Sequence, residues 1–260
     1  MPTDCPACHA PETVRRFGLG TEKIEHALAA RYPNARIARL DRDTAAGKGL
    51  TEVLGRVARR EVDILVGTQM VTKGHDFPHV TLVGVLAADS ALSQPDFRSG
   101  ERTFQLLTQV AGRAGRGDGD GRVVVQTYAP EHPAIDCARR HDYAGFFAAE
   151  CASRRELGYP PAGRLIAIRI DGPDEKEVRH AAETLAAEAA PMARTLGLTL
   201  LGPAEAPLAR LKGRARWQLW IKGAERPPLR ALVRRLLASL AARKTGEVRV
   251  TVDVDPLSAM

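Results

Sequence analysis

Hydrophobic residues in the first half of the chain fall into short runs separated by stretches with helical spacing. Runs at 62–66, 80–86 and 122–126 are rich in Val, Ile and Leu and are typical of buried strands. An amphipathic helix with apolar residues at i, i+3, i+4 and i+7 is predicted from Leu50, Val53, Leu54 and Val57. This alternation predicts right-handed βαβ units and a mostly parallel sheet, with its working loops at the carboxyl ends of the strands.

A different pattern begins after Gly158, where the paired prolines Pro160 and Pro161 disfavour continuation of a helix. The predicted strands lie at 165–170, 198–201, 216–222 and 248–254, and the predicted helices at 175–194 and 229–240. The order β-α-β-β-α-β predicts a small sheet with helices on one side. We therefore expect a second, smaller α+β domain.

Composition and charge narrow the class of protein. Hydrophobic residues make up 44% and charged residues 27% of the 260, as in ordinary globular proteins, and no apolar run approaches the ~20 residues of a membrane helix. No secretory signal is recognisable at the start, so we expect a bacterial cytoplasmic protein. The net charge is +7, and twelve Lys or Arg stand against two Glu between Arg210 and Arg249. This excess favours an anionic partner, with a solvated basic face as the alternative.

Basic and aromatic residues alternate near the start of this basic segment. The residues concerned are Arg210, Lys212, Arg214, Arg216, Trp217 and Trp220. Such a composition is typical of surfaces that hold a nucleic-acid backbone and stack a base. Because alternate side chains of a strand point to opposite faces, we expect Trp217 in the core and Trp220 available for stacking.

A glycine-rich segment at 109–117 carries two arginines three residues apart, Arg113 and Arg116. Glycines allow a close backbone approach, and two guanidinium groups can converge on one phosphate. The alternative is a basic surface loop.

Upstream, the loop after the strand ending at Val66 offers hydroxyl, amide and glycine groups that suit a phosphodiester backbone, and Asp76 could accept a hydrogen bond from a ribose hydroxyl. We interpret His75 as a buried imidazole.

These segments carry a family resemblance. Residues 68–77 resemble motif V and residues 109–116 resemble motif VI of superfamily 2 helicases, while 18–22 is similar to the segment that opens their second lobe. Asp89 and residues 94–107 resemble the primosomal protein N-prime (PriA) family more specifically. Residues 159–161, 202–208 and 252–256 are also similar to that family. The resemblance covers essentially the whole chain.

The resemblance implies a RecA-like second motor lobe, a parallel sheet with helices on both faces, in an ATP-driven 3′-to-5′ DNA helicase that restarts replication. It implies that Gln109, Arg113 and Arg116 reach ATP and Mg²⁺ held between two lobes, with Arg116 as the arginine finger. Gly74 and Asp76 would belong to the same nucleotide site.

DNA contacts are implied for Gly20, Thr21, Thr68 and Gln69. The family's terminal domain takes part in contacts with DNA and with the tail of single-strand-binding protein, so both are expected partners, together with other primosome proteins.

The 260 residues contain no GxxxxGK[ST] string, so no Walker A loop is expected within them. The string at 47–49 lacks the hydroxyl ligand for magnesium, and the acidic residues at 174–177 are interpreted as an exposed helix start. We therefore expect the chain alone to be inactive as an ATPase.

Cys5 and Cys8 form a CxxC pair that supplies two of the four ligands of a structural zinc site. The family resemblance implies that the pair is the end of a cysteine-rich zinc region. Half a site is expected to bind zinc weakly, if at all.

The predicted organisation is a zinc-region remnant at 1–10, a helicase lobe at 11–142, a linker helix at 143–157 and a terminal domain at 158–260. The predicted function is the C-terminal half of a replication-restart helicase. The alternative is a non-catalytic nucleic-acid- or partner-binding fragment.

Overall fold

The computed structural model describes residues 20–41, 44, 49–68, 79–112, 114, 121–241 and 246–258. By their contacts, these residues form two compact units. The first contains the described residues up to Leu92 together with Arg102–His141, and the second contains Ser93–Glu101 and those from Asp142 onward. The helix expected as a linker at 143–157 therefore groups with the second unit.

The first unit alternates helices with short strands, as the hydrophobic runs predict. In chain order its elements are α1 (Thr21–Arg31), β1 (Ile37–Leu40), α2 (Gly49–Ala58), β2 (Ile64–Gly67), β3 (Leu82–Val85), α3 (Asp89–Leu92), α4 (Ser99–Ala111, whose first three residues group with the second unit), β4 (Arg122–Val125) and α5 (Pro133–Arg139). Strand β1 pairs in parallel with β2, and β3 pairs in parallel with β4. The parallel pairing agrees with the predicted α/β class.

The second unit is a helix followed by an antiparallel four-stranded sheet with two further helices. Its remaining elements are α6 (Tyr143–Leu157), β5 (Arg164–Gly172), α7 (Glu175–Thr195), β6 (Thr199–Leu211), β7 (Arg214–Gly223), α8 (Arg226–Ala241) and β8 (Arg249–Val254). From β5 onward the chain order is β-α-β-β-α-β, and the strands lie side by side as β6-β7-β5-β8.

Local sequence signals explain where these helices begin and end. The Asp142 side chain accepts a hydrogen bond from the Gly145 backbone N–H at 2.8 Å and so caps α6, which ends at Gly158 in the left-handed region (φ 67°). Asp174 caps α7 in the same way through the N–H groups of Lys176 and Glu177. The interpretation of 174–177 as an exposed helix start is therefore confirmed.

The sheet of the second unit has one face covered by α7 and α8. That face and the two helices contribute the buried core, whose largest members are Ile168, Ile170, Leu185, Leu219, Ile221, Leu229 and Leu232. Side chains at alternate positions point to the opposite side of the sheet. We call this side the polar face, which comprises Arg169, Asp171, Arg216, Gln218, Thr251 and Asp253.

Among the described residues, no helix is both long and apolar enough to cross a membrane.

Candidate nucleotide and nucleic-acid interfaces

The carboxyl ends of β1 and β2 form one edge of the first unit. Leu40 lies opposite Gly67 in the parallel register, so the next residues, Asp41 and Thr68, follow the two strands at the same edge. Thr68 is exposed. The structure therefore brings this predicted DNA contact to the kind of strand edge where open α/β sheets build their sites.

Asp41 connects α1 to this edge. The Thr21 hydroxyl donates a hydrogen bond to Asp41 Oδ2 at 2.6 Å, and the Thr44 backbone N–H donates to Oδ1 at 3.0 Å. Arg39 Nε lies 3.2 Å from Asp41 Oδ2. The hydrogen bonds from Thr21 and then Thr44, with the nearby Arg39 charge, lower the pKa of Asp41 to about 2, although burial opposes the shift. Asp41 thus holds Thr21, a predicted DNA contact, at the edge next to the exposed Gly20.

Sequence reasoning missed Asp41. The signal was present, because an Asp followed three residues later by a Thr has the spacing at which side-chain oxygens and backbone N–H groups pair reciprocally, as in a capping box. The contact with Thr21 could not be read in the same way, since the two residues are 20 positions apart.

Gln109 lies on the exposed side of α4. The opposite side of this helix is buried through Thr103, Phe104, Leu107 and Val110. The amide side chain of Gln109 is therefore available to a ligand. The other predicted nucleotide-site residues, Gly74, Asp76, Arg113 and Arg116, lie outside the described residues, as does the predicted DNA contact Gln69.

The predicted zinc ligands Cys5 and Cys8 also lie outside the described residues. Within the ranges that the structure describes, no group of three or more His, Cys, Asp and Glu side chains is placed to hold a metal ion. The two cysteines that are described, Cys137 and Cys151, are a buried and a partly buried free thiol. Small apolar contacts of this kind are usual for a free cysteine in a helix.

The hairpin between β6 and β7 presents two of the four predicted basic DNA contacts. Arg210 and Lys212 are exposed, and Lys212 (φ 50°) and Gly213 (φ 79°) form the turn between the strands. Arg210 Nη2 is 3.8 Å from Glu175 Oε2, and both side chains are about 60% exposed, so this ion pair holds Arg210 only loosely. The positive charges of Arg210 and Lys212 therefore remain available to an anionic partner.

The other two basic residues of this group are engaged within the protein. Arg214 Nε donates to Asp171 Oδ2 at 2.5 Å, and its Nη2 donates to the carbonyls of Asp171 at 3.0 Å and Glu247 at 2.9 Å. Arg216 is only 6% exposed and donates to the Leu208 carbonyl at 3.4 Å. Burial, and then the neighbouring Arg169 charge, lower the pKa of Arg216. The expectation of a DNA contact must be corrected for Arg216, because its guanidinium is covered by the protein.

The assignment of the two tryptophans also needs correction. Trp217 packs against the main core, as expected, beneath the Arg179 guanidinium at 5.8 Å from its ring. Trp220 is 8% exposed, however, and its ring meets Phe97 and Tyr159 edge-on at 6.5 and 6.4 Å. As alternation predicts, the two indole rings lie on opposite faces of the sheet. Trp220 is buried because Phe97 and Tyr159 cover the second face at that point.

Two family models match this chain in tandem. Residues 11–118 match the helicase conserved C-terminal domain, and residues 155–257 match the primosomal protein N C-terminal domain. The first match contains every predicted motif residue from Gly20 to Arg116, and the second contains the sheet with its two helices.

Curated relatives match along the whole chain. The replication restart protein PriA of Bacillus subtilis is 43% identical over all of this chain and 32% of its own length. The PriA proteins of Synechocystis (44% identical) and Treponema pallidum (39% identical) match 99% and 100% of this chain and 30% and 39% of their own lengths. The chain thus spans about a third of the relatives it matches. Among solved structures, a de novo designed protein, Foldit4, matches 35% of this chain and 94% of its own length at 16% identity, with a TM-score of 0.29, too low for any inference.

Proposed function

The chain belongs to the PriA family of replication restart proteins, of which it is a C-terminal part, and we propose that it is the second motor lobe and terminal domain of an ATP-dependent 3′-to-5′ DNA helicase. The observation that carries this proposal is the tandem match of a helicase C-terminal domain and a primosomal C-terminal domain in one chain. Helicase activity and restart of stalled forks would belong to the longer protein in which such a chain works.

In this proposal the first unit completes an ATP site. Gln109 is exposed on α4 and is followed by the motif that contains Arg113 and Arg116. Arg116 would stabilise negative charge that develops on the γ-phosphoryl group, with Gly74 and Asp76 on the nucleotide side of the same lobe. The chain has no Walker A string, so the residues that hold the β- and γ-phosphates with Mg²⁺ must come from another lobe.

The same unit would contact DNA at the edge where β1 and β2 end. The Thr21 hydroxyl proton is used by Asp41, so this hydroxyl is not available to donate to a phosphate oxygen. The backbone N–H groups of the first turn of α1, which begins at Thr21, remain as donors beside Gly20, and Thr68, directly after β2, supplies an exposed hydroxyl. Gln69 would continue this contact.

A chimera tests the motor function. In the Bacillus subtilis relative, the segment that matches this chain would be replaced by the chain, and DNA-stimulated ATP hydrolysis and 3′-to-5′ unwinding would be measured. We expect activity in the chimera and a loss of about 10³-fold or more in turnover with Arg116→Ala, as for other arginine fingers. Arg122→Ala, an exposed arginine at the start of β4, is the matched control and should retain activity. Equal turnover in both variants would contradict the assigned role.

The second unit would bind single-stranded DNA weakly through the β6–β7 hairpin. If Arg210 and Lys212 each neutralise about one phosphate, the slope of log K against log salt is about −1.4, and each alanine substitution makes it shallower by about 0.7. Arg194→Ala, an exposed arginine at the end of α7, is the control. A labelled oligonucleotide titrated into the 260-residue chain at several salt concentrations measures these slopes, and an unchanged slope in the double alanine variant would contradict the proposal.

The concentration of basic residues in the second unit favours one further candidate, a non-catalytic module that binds nucleic acid or an acidic protein tail. Such a tail, for example that of single-strand-binding protein, would compete with DNA for the same charges, and other primosome proteins would be further partners. An inactive chimera whose second unit still binds DNA would favour this candidate over the motor function.

A further inference from the structure

A small pocket opens on the polar face of the second-unit sheet. Its volume is about 290 Å³, and the side chains that define its chemistry are Arg169, Gln218, Trp220, Thr251, Asp253 and Ser258. These residues come from three neighbouring strands and from the chain segment after β8. None of them has a role in the motor function proposed above.

The strand register explains why a depression forms at this place. Ala167 lies on the central strand β5, opposite Trp220 on one side and Asp253 on the other. A methyl group between two larger side chains leaves a hollow above itself. Two residues further along the same strand, Arg169 lies opposite Gln218 and Thr251. The hollow therefore has an indole and a carboxylate at one end and a guanidinium, an amide and a hydroxyl at the other.

The walls of the pocket are held by contacts behind them. Phe97 and Tyr159 stack on each other at 5.1 Å, and both rings meet Trp220 edge-on. The Ser258 hydroxyl donates to Asp96 Oδ2 at 3.4 Å, which ties the segment after β8 to the segment that carries Phe97. The pocket is consequently formed before any ligand arrives, which reduces the entropic cost of binding.

The polar groups define the class of ligand. The exposed Asp253 carboxylate only accepts hydrogen bonds, the Arg169 guanidinium only donates them, and Gln218 does both. Arg169 on β5 and Asp253 on β8 are diagonal neighbours, and such positions are roughly 7–8 Å apart. Their side chains can therefore converge on one flat group between them. A ligand that contacts both side chains must carry donors on one edge and acceptors on the next. The volume is slightly below the roughly 300–1,000 Å³ of pockets for drug-sized ligands and suits a single ring system.

We propose that this pocket takes one unstacked nucleobase of a DNA strand bound to the second unit, with guanine preferred. The N1–H and N2 amino groups of guanine offer adjacent donors for the Asp253 carboxylate, and its O6 and N7 acceptors suit the Arg169 guanidinium. Such an edge is accessible only in an unpaired base. The exposed Arg249, which precedes Thr251 by two residues and therefore lies on the same side of β8, provides a positive charge for the adjoining phosphate.

This inference rests on the proposed strand binding by the second unit, and one experiment separates the two. The 260-residue chain is titrated with a fluorescent dT12 oligonucleotide, with the same strand carrying one central dG, and with one carrying deoxyinosine, which lacks the N2 amino group. We expect the dG strand to bind on the order of tenfold more tightly than dT12, with the deoxyinosine strand between them. Asp253→Asn should remove this preference while leaving the affinity for dT12 unchanged. Glu156→Gln, an equal charge change on the exposed side of α6, should preserve it.

Equal binding of all three strands would refute the base pocket and leave the strand-binding function standing. A guanine preference that persists in Asp253→Asn would also refute it, because the base would then be read elsewhere. Absence of binding to every strand would refute the strand-binding function itself.

Discussion

Arg154 on α6 connects three segments of the second unit, and its removal should destabilise that unit strongly. The residue is 9% exposed. Its Nη2 lies 2.7 Å from both Glu150 Oε1 and Glu101 Oε2, and its Nη1 donates to the Pro160 carbonyl at 3.4 Å. The guanidinium also lies 5.4 Å from the centre of the Phe97 ring. Replacement by Met keeps most of the apolar stem and leaves two carboxylates without their shared cation.

The size of the effect follows from burial. Loss of one partner from a fully buried ion pair costs about 3–5 kcal/mol, because the other charge stays buried without compensation. Here the two carboxylate side chains are 30% and 20% exposed, so water recovers part of that cost. We therefore expect Arg154→Met to lower the free energy of unfolding by about 2–4 kcal/mol. With a urea dependence of about 2 kcal/mol per molar, the unfolding midpoint falls by about 1–2 M.

Tryptophan fluorescence isolates the relevant transition, because both tryptophans of the chain, Trp217 and Trp220, lie in the second unit. Urea titrations followed by this signal would compare Arg154→Met with Arg155→Met, a change of the same chemistry at the exposed neighbouring position. Addition of Glu101→Gln to Arg154→Met should recover part of the loss, since a neutral amide needs no counter-charge. Equal midpoints for the two Met variants would refute the view that this ion-pair cluster stabilises the unit.

Three further predictions concern the rest of the chain. The pKa of Asp41 is lowered to about 2 in the folded state, so its stabilising contribution is complete above its unfolded pKa of about 3.9 and is lost as the pH falls toward 2. The difference in thermal stability between the parent chain and Asp41→Asn, followed by circular dichroism, should therefore shrink over that interval, and a difference independent of pH would contradict it. Dialysed monomer should retain well below one equivalent of zinc by metal analysis, because Cys5 and Cys8 supply two thiolates; a full equivalent would mean that further ligands exist. The chain alone should show no DNA-stimulated ATP hydrolysis, and turnover that disappears in Arg116→Ala would overturn this expectation.

Local patterns in the sequence predicted many of the elements, although the strand β1 was not among them. Short apolar runs at 62–66, 80–86 and 122–126 predicted strands, and β2, β3 and β4 lie at those places. Alternating residues predicted that Trp217 and Trp220 point to opposite faces of one strand, which they do. These predictions succeed because the periodicity of a helix or a strand is a property of neighbouring residues and needs no knowledge of the rest of the chain.

Only the tertiary structure decided what each face meets. Trp220 is buried because Phe97, 123 positions earlier in the chain, closes the face to which alternation directs it. Tertiary contacts also explain why Arg214 and Arg216 are engaged within the protein whereas Arg210 is exposed. Asp171 and the Leu208 carbonyl come within reach of Arg214 and Arg216, respectively, once β5, β6 and β7 are paired. Alternation specifies the direction of a side chain, whereas its exposure depends on which distant segment covers that direction, and this is set by the packing of the whole unit.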